Sequence, residues 1–437
     1  MARRQTFGWF LSRGFGPQGW ATPHYEWGYR WQEPGLYQRS AQTLEQAGFS
    51  FVLIEDALSV GITESTLDLR VREAYGGPKH DPWALAPFIF AATARLQVIP
   101  TINPASMPPY TAARFFSSLH QLSRGRLGLN VVTDVGSAHH FGQSRLSHDA
   151  AYDRAEEWLA SLKELWGSWG EGALIEDAAT GVFADGSRIT ASRHDGEYYS
   201  FEGPLNAAPF NDGGPVIASP GGSGRGLQFA GAHSDIQLAL APLTPERLAA
   251  HREKVRAAAV AQGREADAIT SLFVFKPLIV GSASEADRLV EESYAPTDEA
   301  LKVTARGWSS DLETDLTALP LDEPLKPEDF GEHVSEGSLK SLKGDADSLY
   351  EVPLRDILAA KARLGRIGDG VAGTVGSPTV GTAGEVADFI EMLGEEAGID
   401  GLLFSGDLHP VTLHRTLDEL VPQLRRRGIL APAQASP

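Results

Sequence analysis

The stretch RLGLNVVTDVGSAHHFGQ, residues 126–143, changes character halfway. An apolar, β-branched run holding Asn130 gives way to Thr133, Asp134, His139, His140 and a Phe-Gly pair. A strand that ends in an amide, a hydroxyl and a carboxylate can present chemistry at its end. The same pattern also describes a core strand running into an ordinary loop. Adjacent histidines point in different directions on most backbones, and no second His/Asp/Glu group has a recognisable ligand spacing, so no metal site is expected.

A second candidate is SPGGSGRGLQFAGAHSD, residues 219–235. A strand ends at Ser219, glycines crowd 221–226, and an amphipathic helix follows. Glycines let the backbone approach a ligand, and the free N–H groups of a helix start attract anions. Ser223 can cap that helix and offer its hydroxyl to a phosphate. The stretch reads either as a phosphate turn or as a common strand-to-helix connection. It lacks the lysine of a P-loop, and its glycine spacing does not fit a dinucleotide fingerprint. In HDAAYDRAEEWL, residues 148–159, Asp149 is the expected helix cap, with Asp153, Glu156 and Glu157 on a solvated face. Tyr152 lies in the first turn, its hydroxyl reaching the barrel mouth or packed in the core. Glu55, Asp56 and Asp134 could be assembled into a glycosidase pair, but acids at strand ends are common. No G-x-S-x-G elbow is present, so a serine hydrolase is not expected.

The elements that position these residues alternate regularly. Strand patterns fall at 6–11, 49–56, 96–102, 126–133, 214–219, 235–240, 272–280 and 400–405, each followed by a helical pattern. The runs are continuously apolar, as when both faces of a parallel strand are buried. The chain is therefore expected to be α/β, a (β/α)8 TIM barrel forming one domain over residues 1–437, with a doubly wound sheet as the second choice. Two stretches interrupt the repeat: about 167–213, with a hairpin expected around RHDGEYYSFEGP, and about 296–380, polar and lid-like. Barrel chemistry sits at the C-terminal strand ends, which carry Ser12, Glu55–Asp56, Thr101–Asn103, Asn130–Asp134, Ser219 and Ser405–Asp407.

Composition narrows the class. At 437 residues, 42% hydrophobic and 22% charged, the chain is globular in character. No apolar stretch approaches the roughly 18–20 residues of a membrane span, and the N-terminus reads as a core strand rather than a signal peptide. The net charge of −19 argues against nucleic acid. Cysteine is absent, which excludes disulfides, thiolate metal sites and a thiol nucleophile and fits the cytoplasm. LRRRG at 424–428, the one compact basic run, belongs at the end of a helix, where cations meet the dipole favourably.

Several ordered stretches together resemble a known family. These are AQTLEQAGFSFVLIEDAL (41–58), PPYTAARFFSSLHQLSRGRLGLNVVTD (108–134), FGQSRLSHDAAYDRAEEWLASLKELWGSWGEGALIEDAATGVFAD (141–185), HDGEYYSFEGPLN (194–206), PVIASPGGSGRGLQFAGAHSD (215–235), VGTAGEVADFIEMLGEEAGIDGLLF (380–404) and LVPQLRRRG (420–428). The chain resembles the nitrilotriacetate, dibenzothiophene-sulfone and pristinamycin monooxygenase branch of the bacterial luciferase-like flavoproteins. That resemblance implies a (β/α)8 barrel that takes FMNH2 from a separate NAD(P)H:flavin reductase, reacts it with O2 and places one oxygen atom on a small organic substrate. A homodimer or homotetramer is the matching expectation. Position by position, it implies that Asp56, Thr101 and Asn130 lie beside the flavin ring, with Tyr152, Gly222 and Ser223 at the FMN phosphate. Asn130 and Thr101 would then serve the flavin–oxygen chemistry. Asp134 would stand near flavin or substrate, and His140 would touch substrate or make a structural hydrogen bond.

The chain also departs from that pattern. Ser219-Pro220-Gly221 replaces a Gln-Ala-Gly, Asp134 a serine, His140 an asparagine, and Ala151 an arginine that could pair with phosphate. Alternatives that remain open are a deazaflavin-dependent oxidoreductase of the same barrel superfamily and a non-catalytic flavin-binding protein. Trp20, Tyr25, Trp27, Tyr29, Trp31 and Tyr75 in the variable loops favour a planar or apolar substrate, such as an aromatic or heterocyclic one, or simply pack.

Overall fold

Strands β1 (Thr6–Leu11), β2 (Phe51–Ile54), β3 (Gln97–Ile102), β4 (Gly128–Val131), β5 (Val216–Pro220), β6 (Ile236–Ala239), β7 (Thr270–Phe275) and β8 (Gly401–Ser405) close into a barrel. Hydrogen bonding runs round it in sequence order, β1-β2-β3-β4-β5-β6-β7-β8 and back to β1. The computed structural model describes residues 4–12, 29–56, 58, 71, 77–133, 137–210, 213–312, 314–331, 334, 336–344, 346–367, 378–406, 408 and 410–431. The (β/α)8 expectation is borne out. Strands such as β2, FVLI, and β4, GLNV, are buried at every position, which is why their sequences run apolar instead of alternating.

Helices α1 (Pro34–Ala47), α2 (Pro82–Ala92), α3 (Pro109–Leu122), α4 (His148–Trp166), α5 (Gly224–His233), α6 (Pro245–Ala261), α7 (Ala383–Glu396) and α8 (Pro410–Arg426) follow the strands. Their ends are set by local chemistry. Pro34 opens α1, and Gly48 at φ 95° closes it by donating its N–H to the carbonyls of Leu44 and Glu45. A Thr382–Glu385 capping box starts α7. The basic run at the end of α8 is structural: Arg425 donates to the last carbonyls of α1, Gln46 O and Ala47 O, and Arg427 pairs with Asp388 and Glu391. The cap of α4 differs from expectation. Ser147 fills that position, accepting from Ala150 N–H at 3.3 Å, and Asp149 lies in the first turn.

The chain forms two compact units, Met1–Asp81 with Leu238–Lys254 and Thr270–Pro437, and Pro82–Gln237 with Val255–Ile269. In the first, Phe7, Trp9, Phe49, Phe275 and Phe404 form an aromatic cluster, with Trp9 stacked on Phe404. The expected strand 272–280 is really two. Pro277 has no N–H to continue the barrel ladder, so β7 ends at Phe275. Pro277–Ile279 instead joins a parallel three-stranded sheet with Gly365–Arg366 and Thr379–Gly381. Within 298–358, helices Asp298–Leu312 and Leu354–Ala362 bury a core of their own, including Leu301, Leu312, Leu316, Leu354 and Leu358. In the second unit, Arg193–Asp195 pairs antiparallel with Ser200–Glu202, which is the expected hairpin.

Candidate active site

Thr101 and Asn130 stand opposite each other in the β3–β4 register, at 3% and 4% exposure. Asn130 Nδ2 donates to Thr101 Oγ1 at 2.8 Å. Asn130 Oδ1 is buried and has no hydrogen-bond partner among the described residues. Such an acceptor is costly inside a protein unless a ligand or water supplies the missing donor. The Thr101 carbonyl in turn takes the Trp83 indole N–H at 2.9 Å, fixing the strand end against α2.

The segment after β3 is clamped from several sides. Asn103, 2% exposed, caps the short turn Pro104–Ser106 by accepting from Ala105 N–H. Tyr199 donates its hydroxyl to Pro104 O at 2.7 Å, Gln143 Nε2 to Ala105 O at 3.0 Å, and Trp158 Nε1 to Met107 O at 2.8 Å. Arg154 Nη1 holds Gln143 Oε1 at 2.8 Å. Glu157 anchors the hairpin that carries Tyr199. Its carboxylate accepts from the backbone N–H groups of Tyr198 and Tyr199, and the His194 ring lies 3.2 Å away. Burial pushes the Glu157 carboxyl up, but these donors together outweigh it and hold the group below the usual carboxylate range.

The face 153–157 is thus not simply solvated. Asp153 and Glu156 both bind Arg225, at 2.7 and 2.8 Å, and Glu157 binds the hairpin. Helical periodicity marks which side of α4 is apolar. It carries no information about a hairpin turn forty residues away, so the sequence offered no signal for Tyr199, Gln143 or Glu157.

The glycine turn and Tyr152 come together as expected. Ser223 caps α5, accepting from Gly226 N–H at 3.0 Å. The Tyr152 hydroxyl lies against the turn, 3.0 Å from where a Cβ on Gly221 would stand and 2.9 Å from one on Gly226. Gly221 adopts φ 130°, which a side chain would resist, and around Gly222 and Gly224 there is open space. Gln237 Nε2 donates to Gly221 O at 3.1 Å, and the Ser219 and Ser234 hydroxyls bond each other at 2.7 Å. Ser219, one of the departures from the family pattern, is therefore buried in a structural contact. Ala151 is buried as well, and a cation is nevertheless close: Arg225 packs over the Tyr152 ring at 5.6 Å. Asp153 and Glu156 neutralise it, so an anion at the turn would rely on backbone N–H groups, the Ser223 hydroxyl and the helix dipole.

Asp56 follows β2 in the other unit. Its Oδ1 accepts from Leu58 N–H at 2.9 Å, and Lys79 Nζ stands 4.0 Å away. His140 sits exposed on the single turn Ala138–Phe141. Asp134 lies outside the described residues, as do Trp20, Tyr25, Trp27 and Tyr75; Tyr29 is buried. Among the described residues, no group of three or more His, Asp or Glu side chains could hold a metal ion, and no helix is long and apolar enough to cross a membrane.

A parallel barrel with a buried, half-satisfied amide at a strand end and an open glycine turn on a helix start suits a phosphate-bearing planar cofactor. Comparison with known proteins defines the class: residues 6–401 match the model of the luciferase-like monooxygenases, and the chain belongs to that family. It is 32% identical to the dibenzothiophene-sulfone monooxygenase of Rhodococcus erythropolis over 90% of this chain and 85% of that one. Among solved structures it resembles a long-chain alkane monooxygenase, with TM-score 0.80 and 26% identity over 100% of this chain and 94% of the other. It also resembles a riboflavin lyase solved with modified FMN and riboflavin, with TM-score 0.79 and 28% identity over 100% and 94%. The protein is a flavin-dependent monooxygenase.

Proposed function

We propose that the protein is the oxygenase component of a two-component system, using FMNH2 delivered by an NAD(P)H:flavin reductase to insert one atom of O2 into a small aromatic or heterocyclic substrate. The observation that carries this reading is the unpartnered, buried Asn130 Oδ1 beside Thr101, in the same unit as the open, Ser223-capped glycine turn under Tyr152. A flavin ring offers N–H donors to the first, and its phosphate suits the second. When bound, reduced flavin supplies the electrons that activate dioxygen.

The chain's own residues do the rest. Thr101 orients the Asn130 amide, which accepts a ring N–H. Asp56 is assigned to the same ring from the family resemblance. Ser223 and the N–H groups of α5 hold the phosphate, Tyr152 closes over it, and the absence of side chains at Gly222 and Gly224 leaves it room. Asp134 and His140 are assigned to the substrate side. A homodimer or homotetramer is assigned from the family resemblance.

Anaerobic titration with FMNH2, then oxygen uptake with a panel of aromatic sulfones, heterocycles and aminopolycarboxylates, tests the reading. Stoichiometric binding, weakened in Asn130→Ala, together with substrate-dependent oxygen uptake is expected. A folded protein that ignores FMNH2 would overturn it, and turnover with a reduced deazaflavin without air would put hydride transfer in its place.

A further inference from the structure

Two consecutive carboxylates, Glu55 and Asp56, follow β2 immediately, and the chain returns at Lys79 with a side chain only 8% exposed. Lys79 Nζ donates to Glu55 Oε2 and lies 4.0 Å from Asp56 Oδ1. Asp56 is 10% exposed, and its Oδ1 also receives the Leu58 N–H. Leu58 adopts φ 56°, a left-handed conformation that a leucine enters only at a cost. A salt bridge kept for stability alone gains little from burial, because desolvation offsets the attraction. Glu55 by itself would match the Lys79 charge. The second carboxylate, held by a strained residue, makes the cluster carry an excess negative charge when both acids are ionised.

We propose that Lys79 is a positioning residue for Asp56: anchored on Glu55, its ammonium stands 4.0 Å from the Asp56 carboxyl, which the Leu58 N–H orients, and supports that carboxyl as a charged acceptor for an N–H of the flavin ring. The proposal rests on the assignment of Asp56 to the flavin made above. The charged groups acting on Asp56 are Lys79, which favours its ionised form, and Glu55 and Asp81, which oppose it. Burial raises the Asp56 carboxyl to about 6, and the Leu58 N–H and the Lys79 ammonium keep it from rising further. Without the ammonium, the carboxyl would remain protonated to a higher pH and would lose its role as a charged acceptor.

The test is the pH dependence of anaerobic FMNH2 binding between pH 5 and 9 for the wild type, Lys79→Met, Lys79→Arg and Asp56→Asn. Wild-type affinity should rise through pH 6 and level off. Lys79→Met should move that inflection up by about one unit, so that binding at pH 6 is about fivefold weaker while the two proteins converge by pH 9. Lys79→Arg should keep the wild-type profile, and Asp56→Asn should retain only the titration of the reduced flavin and its phosphate. Uniformly weaker binding by Lys79→Met with an unmoved inflection would make Lys79 merely structural and overturn the proposal, as would an Asp56→Asn profile that matches the wild type. If the wild type binds no FMNH2 at all, the flavin reading fails by itself. A carboxyl carbon NMR titration of aspartate-labelled protein, with Asp56 identified by its loss in Asp56→Asn, then still decides the coupling: an Asp56 titration that does not move in Lys79→Met refutes it.

Discussion

Thr101→Val removes the acceptor of the Asn130 amide while nearly preserving the size of the side chain. Asn130 is 4% exposed, and its Oδ1 already lacks a partner, so the variant leaves both ends of the amide unpaired in a dry setting. Leaving a buried polar group unsatisfied costs ~1–3 kcal/mol. Asn130→Leu, of similar volume, also removes the orphaned oxygen, and pairing it with Thr101→Val makes the contact wholly apolar. The double variant should therefore be less destabilised than the sum of the single ones, with a coupling of ~1–2 kcal/mol. Urea unfolding of the four flavin-free proteins at one pH reads this directly. The same set, repeated with FMNH2 at about a hundred times the wild-type Kd, should show wild type gaining ~2.7 kcal/mol and the double variant, which has no amide to offer the ring, gaining much less. A coupling below ~0.5 kcal/mol, the range of residues that do not touch, would refute the view of Thr101 and Asn130 as one hydrogen-bonded unit prepared for a ligand.

Other parts of the site make separate predictions. Gly222→Ala meets nothing within 4 Å, so stability should stay within ~0.5 kcal/mol of wild type while FMNH2 affinity, measured by anaerobic titration, falls about tenfold. Gly221→Ala, by contrast, forces a side chain onto φ 130° beside the Tyr152 hydroxyl and should lower the unfolding free energy, read by urea titration, by ~1 kcal/mol or more. The Asp56 carboxyl, raised to about 6 in the fold, contributes stability below pH 4 that is lost as pH rises through 6. Asp56→Asn should accordingly be more stable than wild type at pH 8, by at most ~3 kcal/mol for a shift of about two units, and nearly equal to it at pH 3.5. Tyr199→Phe, which loses the bond to Pro104 O, should cost ~0.5–1.5 kcal/mol and speed amide exchange at Ala105 and Ser106; unchanged exchange there would remove the hairpin from the support of the site.

The barrel was legible because burial on both faces of a strand leaves a direct trace in sequence. FVLI, QVIPTI and GLLFS are largely apolar runs, and the helices between strands carry their own boundary chemistry, such as the Pro34 start and Gly48 stop of α1. Errors fell where a single residue changes the hydrogen bonding. Pro277 diverts an apolar run into a different sheet, and Ser147 takes the cap from the aspartate two positions on. The stretch 296–380 looked polar throughout, yet Leu301, Leu312, Leu316, Leu354 and Leu358 meet from far apart in sequence to form a core. No local window contains enough of them to announce it.

The candidate site divides along the same line. The glycine turn was legible because its requirements are local: glycines where the backbone turns, a serine at the helix start, and a tyrosine on a helix whose place the barrel repeat dictates. Ala151 looked like the loss of a phosphate cation, and the structure puts a different one, Arg225, over the Tyr152 ring. That cation is bound by Asp153 and Glu156, so it is not a substitute for a free arginine. A carboxylate pair this close favours the charged guanidinium but leaves the surroundings with no net positive charge, and the attraction for a phosphate must come from oriented N–H groups instead. The acidic face of α4 would therefore bear on cofactor affinity without touching the cofactor: neutralising Asp153 or Glu156 would remove a net negative charge beside the turn. On this reasoning Asp153→Asn should tighten FMNH2 binding at low salt, with the gain shrinking as salt rises; weaker binding would mean that Asp153 matters for holding Arg225 and Tyr152 in place.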